Sequence, residues 1–285
     1  MGRYRRGWAL AKHSWGVVKA DRSLVVFPII SAIAGITTAA VFFGAGAGII
    51  AGTHADWVGI VLAVIGVYLL IAIGIFCGVA LSACAARALE GHDTAVGEGL
   101  AAARQRQGLI FEWAGVQLVV GGLISLAEAL LREVGGGIIA AIFGGVANFA
   151  WAVASFFVVP VIAFEGLRPK DAIKRSSGIV RDRWGEGVTG AFAIGAVAFL
   201  VGILPAAILI VIGIAVAASA PALAAVLIVL GAAFLVVVIL VQVTVSAVFK
   251  VALFRFATDG SVLAGFEQQE LEAAFKPRRR RRLAS

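Results

Sequence analysis

Apolar residues in this chain run in long unbroken blocks, with no alternation of the kind a half-buried strand would show. Four stretches carry no Asp, Glu, Lys or Arg: Leu24 to Ala55, Trp57 to Ala86, Val134 to Phe164, and Gly187 to Phe249. About 20 apolar residues at 1.5 Å each span a hydrocarbon layer about 30 Å thick. The last block is about twice that length. It contains Ala217-Ala-Ser-Ala-Pro221, a turn signal that divides it in two. A weaker block runs from Trp113 to Leu131, interrupted late by Glu128. The pattern predicts an all-α polytopic bundle of six spans, at about residues 24–51, 57–86, 113–131, 136–164, 188–216 and 222–254, followed by a tail over 259–285.

Composition agrees. With 61% hydrophobic and 14% charged residues, the 285-residue chain holds more apolar surface than a soluble domain could bury. The charge is placed on one side. Arg3, Arg5, Arg6, Lys12, Lys19 and Arg22 precede the first span, and Arg87, Arg104 and Arg106 follow the second. Arg168 to Arg183 follow the fourth, and the C-terminal region holds Lys250, Arg255, Lys276 and Arg278 to Arg282; only Arg132 falls in another connection. Lys and Arg in short loops stay cytoplasmic. If Trp113 to Leu131 did not cross, Arg168 to Arg183 would lie outside, so parity requires the crossing. Both termini are then cytoplasmic in a cell membrane, and Leu24 onward is expected to stay as an uncleaved anchor.

The basic segments look alike. Lys12-His-Ser-Trp-Gly16-Val-Val-Lys19 and Lys174-Arg-Ser-Ser-Gly178-Ile-Val-Arg181 share one spacing, and Arg104-Gln-Arg-Gln-Gly108-Leu-Ile110 is a degraded third copy. Even-numbered spans end at Glu90-Gly91, Glu165-Gly166 and Asp259-Gly260. The chain reads as three helical hairpins, each introduced by a basic cytoplasmic element. Trp8, Lys12, Trp15 and Lys19 recur at seven-residue spacing in the first; Ile173, Val180 and Trp184 recur at helical spacing in the second, beside Lys170, Lys174 and Arg181. Trp suits the headgroup region and long cationic chains reach anionic lipid, so these segments either only orient the bundle or build a lipid-headgroup or partner site around Lys174, Arg175, Arg181 and Trp184. Gly16, Gly108 and Gly178 weaken these helices, and a bend or close contact is expected to compensate.

Glu165 through Trp184, EGLRPKDAIKRSSGIVRDRW, resembles a segment of uncharacterised bacterial and archaeal six-span proteins, relatives of the membrane domain that accompanies some glycerophosphoryl diester phosphodiesterases. Glu165, Ala172, Ile173, Lys174, Arg175, Ser176, Arg181 and Trp184 carry the resemblance. The sequence contains no soluble phosphodiesterase domain, so the resemblance implies a fold and no reaction.

Acidic residues at a helix C-terminus oppose the helix dipole and need cations. The expected pairs are Arg87 with Glu90, Arg255 with Asp259, and Arg168, Lys170 or Lys174 with Glu165. The three carboxylates form either a structural collar or a vestibule for cations. Ionisable residues are scarce inside the spans; Glu128 falls near the outer interface, one turn from Arg132. Gln117, Asn148 and Gln242 are the candidate intramembrane polar residues, for bonds between helices or for lining a path. Pro28, Pro160 and Pro205 are expected to kink spans.

No nucleotide-binding loop, metalloprotease motif or nucleophile elbow occurs. His13, His54 and His92 fall on both sides of the membrane, and Cys77 and Cys84 stand about 10 Å apart along one helix, too far to bridge. No catalytic residue, metal site or cofactor is assigned. The tail combines an amphipathic stretch, Ser261 to Phe275, with Arg278, Arg279, Arg280 and two further Arg, a pattern that binds anionic lipid. Without aromatic interleaving it does not read as a nucleic-acid site. The leading expectation is a non-enzymatic membrane scaffold that binds anionic phospholipid or a membrane partner, including a second copy of itself. The alternatives are a transporter or channel for a small solute or ion, and a membrane-embedded lipid enzyme.

Overall fold

The computed structural model describes residues 16–19, 21–53, 56–183, 195 and 198–259. Among the described residues 91% are helical and none forms a strand. Helices satisfy backbone polar groups within the segment, which apolar surroundings demand. Helix α1 is Ser23–Thr53, α2 Asp56–Leu89, α3 Val96–Gln105, α4 Gln107–Ala154, α5 Val158–Phe164, α6 Pro169–Arg183, α7 Leu204–Val216 and α8 Pro221–Asp259. Among the described residues, five helical stretches are long and apolar enough to cross a membrane: Ser23–Gly52, Asp56–Leu89, Gln107–Phe164, Phe199–Val216 and Pro221–Thr258. The chain forms two compact units. One holds Val26–Ala88 and His92–Asp182; the other holds Leu89–Gly91 and the two ends of the chain, up to Val25 and from Arg183.

In the first unit α1 and α2 pack antiparallel, and glycines set how closely. A Cβ at Gly35 would meet Leu70 at 3.5 Å, one at Gly46 the Gly59 carbonyl at 3.3 Å, and one at Gly66 the Phe42 side chain at 2.9 Å. Contacts descend one helix as they ascend the other, as a hairpin requires.

Helix α4 holds 48 residues, about 70 Å at 1.5 Å each and too long for one crossing. It folds back at Gly136, where φ is 81° and ψ 166°. That backbone region is open almost only to glycine. Trp113 stacks on Trp151 with ring centroids 5.7 Å apart. The Trp151 Nε1–H donates to Gln117 Oε1 at 2.6 Å. Nearer the turn, the Glu128 carboxylate lies over Gly144, 2.6 Å from where a Cβ would stand. These pairings run antiparallel about Gly136, so the weak block from Trp113 to Leu131 and the block after it form two arms of one hairpin.

The second arm breaks at Ser155–Phe157 before α5 resumes. Pro160 explains the break: it has no N–H for the carbonyl of residue 156, and its ring crowds that carbonyl. Pro28, by contrast, sits inside an unbroken α1.

Helix α3 is the element that sequence reading missed. It sits against the end of α2: a Cβ at Gly99 would lie 2.6 Å from Phe27 Cζ, 2.8 Å from Cys84 Sγ and 2.9 Å from the Ala80 carbonyl oxygen. The buried apolar residues of α2 all fall between Ala72 and Leu89, whereas Trp57, Ile60, Val61, Val64, Ile65 and Val67 near its start are exposed. Two expectations for the basic segments need correction. Gly108 is the second residue of α4, so the short helix ahead of the third span is α3. No atom beyond the local backbone lies within 4 Å of a Cβ at Gly16, Gly108 or Gly178, so no close contact compensates for these glycines.

In the second unit α7 and α8 form another antiparallel hairpin about the expected turn at Ala217 to Ala220. A Cβ at Gly213 would lie 2.7 Å from Ile228 Cγ1, and one at Gly231 3.0 Å from the Ala206 carbonyl oxygen. Ahead of α7, Phe199–Ile203 is wound as a π-helix. Pro205 accounts for it, because it offers no N–H to the carbonyl of residue 201 and the ladder widens by one residue.

Candidate functional site

Helix α6 carries the richest set of candidate residues. Its buried positions are Pro169, Ala172, Ser176 and Ile179. At about 100° per residue these centre on one line, and the exposed Lys170, Lys174 and Arg181 fall within about 40° of one another on the opposite line. Ile173 and Val180 are half-buried along one flank between the two. The expectation that Ile173 and Val180 mark the main apolar face is therefore corrected: they form a shoulder, and the deepest contact is made by Ala172, Ser176 and Ile179. Pro169 and Asp171 start the helix, where a missing N–H is harmless and a negative charge favours the dipole.

Arg175 faces away from the cationic line. Its Nε stands 3.0 and 3.2 Å from the two carboxylate oxygens of Glu165. The neighbouring Ser176 is fully buried, and its Oγ accepts the Phe157 N–H at 3.0 Å. That N–H lies in the break caused by Pro160. The serine of the repeated string thus supplies an acceptor to backbone that the helix ladder does not serve, a role its neighbours in sequence do not reveal.

Glycine closes α5. Gly166 has φ of 64°, and the N–H groups of Glu165 and Gly166 both return to the Val161 carbonyl, at 2.8 and 3.0 Å. A Cβ at Gly166 would lie 2.7 Å from Arg106 Nη1. Arg106 and Arg175 therefore flank the negative end of α5 together with the Glu165 carboxylate. The end of α2 is built alike: Gly91 has φ of 82°, and the His92 N–H reaches the Arg87 carbonyl at 3.0 Å.

The partners of the acidic ends differ from those expected. Arg87 pairs with Glu98 on α3, which holds the Glu98 carboxyl below its ordinary range through the Arg87 hydrogen bond above all, outweighing a small opposing cost of burial. In the second unit Glu90 pairs with Arg255 of α8 at 3.4 Å. The cation in contact with Glu165 is Arg175, which is not among the Arg168, Lys170 and Lys174 expected for it. Asp259 is described in its backbone alone as the last residue of α8. Sequence reading looked for the partners of Arg87 and Arg255 within their own helices, whereas both pair with residues of separate elements.

Among the remaining candidates, Lys19 is exposed at the end of the helical residues 16–19. Trp8, Lys12, Trp15, Trp184, Arg278, Arg279 and Arg280 lie outside the described residues. Gln117 is taken up by Trp151, and the Asn148 Nδ2–H donates to the Gly144 carbonyl one turn back at 2.8 Å. Gln242 is half-buried on α8. Beside the turn at Gly136, Ser125, Glu128, Ala129, Arg132 and Glu133 line an open cleft of about 460 Å³. There Arg132 Nη2 meets Glu128 Oε1 at 3.1 Å, the surface pair expected from their spacing. Among the described residues no group of three or more His, Cys, Asp or Glu side chains is placed to hold a metal.

A family model described as "Family of unknown function (DUF6159)" matches residues 58–266. No curated protein and no solved structure matches the chain. Nothing in these comparisons supports the resemblance to the membrane domain of glycerophosphoryl diester phosphodiesterases.

Proposed function

The chain belongs to this family of unknown function, DUF6159, which supplies no reaction; we propose from its own residues that it is a six-span, non-enzymatic membrane protein that binds anionic phospholipid at its cytoplasmic face. The observation that carries this reading is the arrangement on α6. Three exposed cations, Lys170, Lys174 and Arg181, lie opposite a buried line, with an apolar shoulder at Ile173 and Val180. A helix lying at the edge of a bilayer needs these features: an apolar flank toward acyl chains and long cationic side chains toward phosphate. Each cation near an anionic surface contributes roughly 1 kcal/mol, so three together suffice to favour anionic over zwitterionic lipid about a hundredfold.

The placement of basic residues supports the orientation. α3, α6 and the end of α2 carry Arg or Lys, and Arg106 and Arg168 flank the start of α4 and the end of α5, whereas the turn at Gly136 carries Arg132 alone. Positive-inside placement then puts the basic ends in the cytoplasm and both termini with them. Polar groups within the apolar arms support a packing role: Gln117 joins two arms, Asn148 bonds its own helix, and the buried Thr244 donates to the Leu240 carbonyl at 2.8 Å.

Native mass spectrometry of the full-length protein in detergent, titrated with phosphatidylglycerol or phosphatidylcholine, tests this. Phosphatidylglycerol adducts should persist at collision energies that strip phosphatidylcholine. Combining Lys170→Gln, Lys174→Gln and Arg181→Gln should remove the difference. Equal retention of both lipids by the unaltered protein, or an unchanged preference in the triple variant, would contradict the reading.

A further inference from the structure

Two residues of α6 outside its lipid-facing line, Arg175 and Ser176, are adjacent in sequence but hold opposite ends of α5. Arg175 grips Glu165, just past the end of that helix. Ser176 holds Phe157, its N-terminal cap residue. The contact points are eight residues apart, about 12 Å along the axis at 1.5 Å per residue.

The held segment is set apart from its neighbours at both ends. On one side the Pro160 break at Ser155–Phe157 interrupts the ladder to α4. On the other, Gly166 in the left-handed region turns the chain toward α6. A seven-residue helix bounded this way has little stability of its own, since short helices depend on tertiary contacts. Val158, Val161 and Ile162 are fully buried, so its order rests on tertiary contacts, those with α6 among them.

We propose that α6 acts as a two-point clamp on the inner end of the fourth span, so that occupancy of its lipid-facing line governs how often α5 swings about the Pro160 break. When anionic headgroups engage Lys170, Lys174 and Arg181, α6 stays seated. Ser176 then keeps the Phe157 N–H and Arg175 keeps Glu165. Without that engagement α6 lifts more often, and the freed N–H opens to water. The ligand shifts the equilibrium only by its preference for the seated state, which comes from the cationic line. The trigger rests on the lipid reading above; the clamp itself rests on the contacts with Phe157 and Glu165.

Amide hydrogen exchange of the full-length protein in nanodiscs, read on peptides covering residues 155–165, tests both parts. In the unaltered protein the Phe157-containing peptide should exchange several-fold more slowly when phosphatidylglycerol is added to phosphatidylcholine discs. Ser176→Ala, which removes only a hydroxyl, should speed exchange at that amide by about tenfold in either lipid and abolish the lipid effect, because a buried donor loses its acceptor. Ser176→Thr keeps an acceptor and should retain slow exchange. Glu165→Gln releases the second point and should speed exchange of the 158–165 peptide in phosphatidylcholine discs, where no anionic lipid is present. If Ser176→Ala leaves exchange unchanged, or Ser176→Thr is as fast as Ser176→Ala, or Glu165→Gln has no effect, the clamp is refuted. If those variants behave as stated but the unaltered protein exchanges equally in both lipids, the clamp stands as a structural element and control by lipid is refuted. That last result leaves the lipid preference itself to the mass-spectrometric titration.

Discussion

Replacing Gly99 by Ala places a methyl group into the seat of α3 on α2. The new Cβ would stand 2.6 Å from Phe27 Cζ, 2.8 Å from Cys84 Sγ and 2.9 Å from the Ala80 carbonyl oxygen. The first two neighbours are fully or almost fully buried and the third is backbone, so none can retreat cheaply. Overpacking of this kind costs about 1–3 kcal/mol, while Ala in place of Gly inside a helix returns about 1 kcal/mol. A net loss of about 1 kcal/mol should lower the melting temperature by about 2–4 °C for a chain of this size. Gly97, two residues earlier in α3, is exposed, and no atom beyond the local backbone lies within 4 Å of a Cβ there. Gly97→Ala should therefore gain most of the propensity term and shift the melting temperature the other way. Both variants can be compared by intrinsic-fluorescence melts of the full-length protein in one detergent. Equal stabilisation by both substitutions would show that α3 does not seat on α2 through Gly99.

Three further outcomes follow from particular contacts. Because the folded-state pKa of Glu98 lies below its ordinary 4.5, its pair with Arg87 stabilises the protein above the ordinary carboxylate range, and that contribution fades as pH falls through the depressed value. Glu98→Gln should accordingly melt earlier than the unaltered protein at neutral pH and match it in acid; a difference that persists in acid would refute the pairing. Gly166→Ala forces a side chain into a left-handed backbone against Arg106 and should destabilise by about 1–3 kcal/mol, whereas Gly178→Ala, in open space on α6, should stabilise by up to about 1 kcal/mol; melts of the two variants check the contrast. Trp151→Phe removes the donor to Gln117 and should cost about 0.5–2 kcal/mol in a detergent unfolding titration, the range for hydrogen bonds between apolar helices.

The helices were legible because uninterrupted apolar length is a strong signal that needs no partner for its interpretation. Charge parity argued that Trp113 to Leu131 crosses the membrane; the structure pairs this segment with the block that follows through the stacking of Trp113 on Trp151. Helix α3 has no long apolar run to mark it, and Gly97 and Gly99 lower its helix propensity; the signal that could have found it is the Leu100-Ala-Ala-Ala-Arg104 run between them and the third span. Positive-φ glycines after Glu90 and Glu165 give a physical reason for the repeated acidic-Gly ending, which the pattern registered without explaining. The ion pairs were misassigned for a different reason. Spacing along one helix is visible in a sequence, but Arg87 with Glu98, Arg175 with Glu165 and Arg255 with Glu90 depend on how separate helices meet. Ser176 was obscured in the same way, since its partner at Phe157 exists only because Pro160 breaks a distant helix.

The central claim is that the basic ends of the hairpins face the cytoplasm. It is tested most directly by labelling single cysteines with a membrane-impermeant maleimide in intact cells, in a background carrying Cys77→Ala and Cys84→Ala. Glu133→Cys, beside the turn at Gly136, should react from outside. Lys174→Cys, on the exposed cationic line of α6, should react only after permeabilisation. Labelling of Lys174→Cys in sealed cells, with Glu133→Cys protected, would place the lipid-binding face on the wrong side of the membrane and contradict the account.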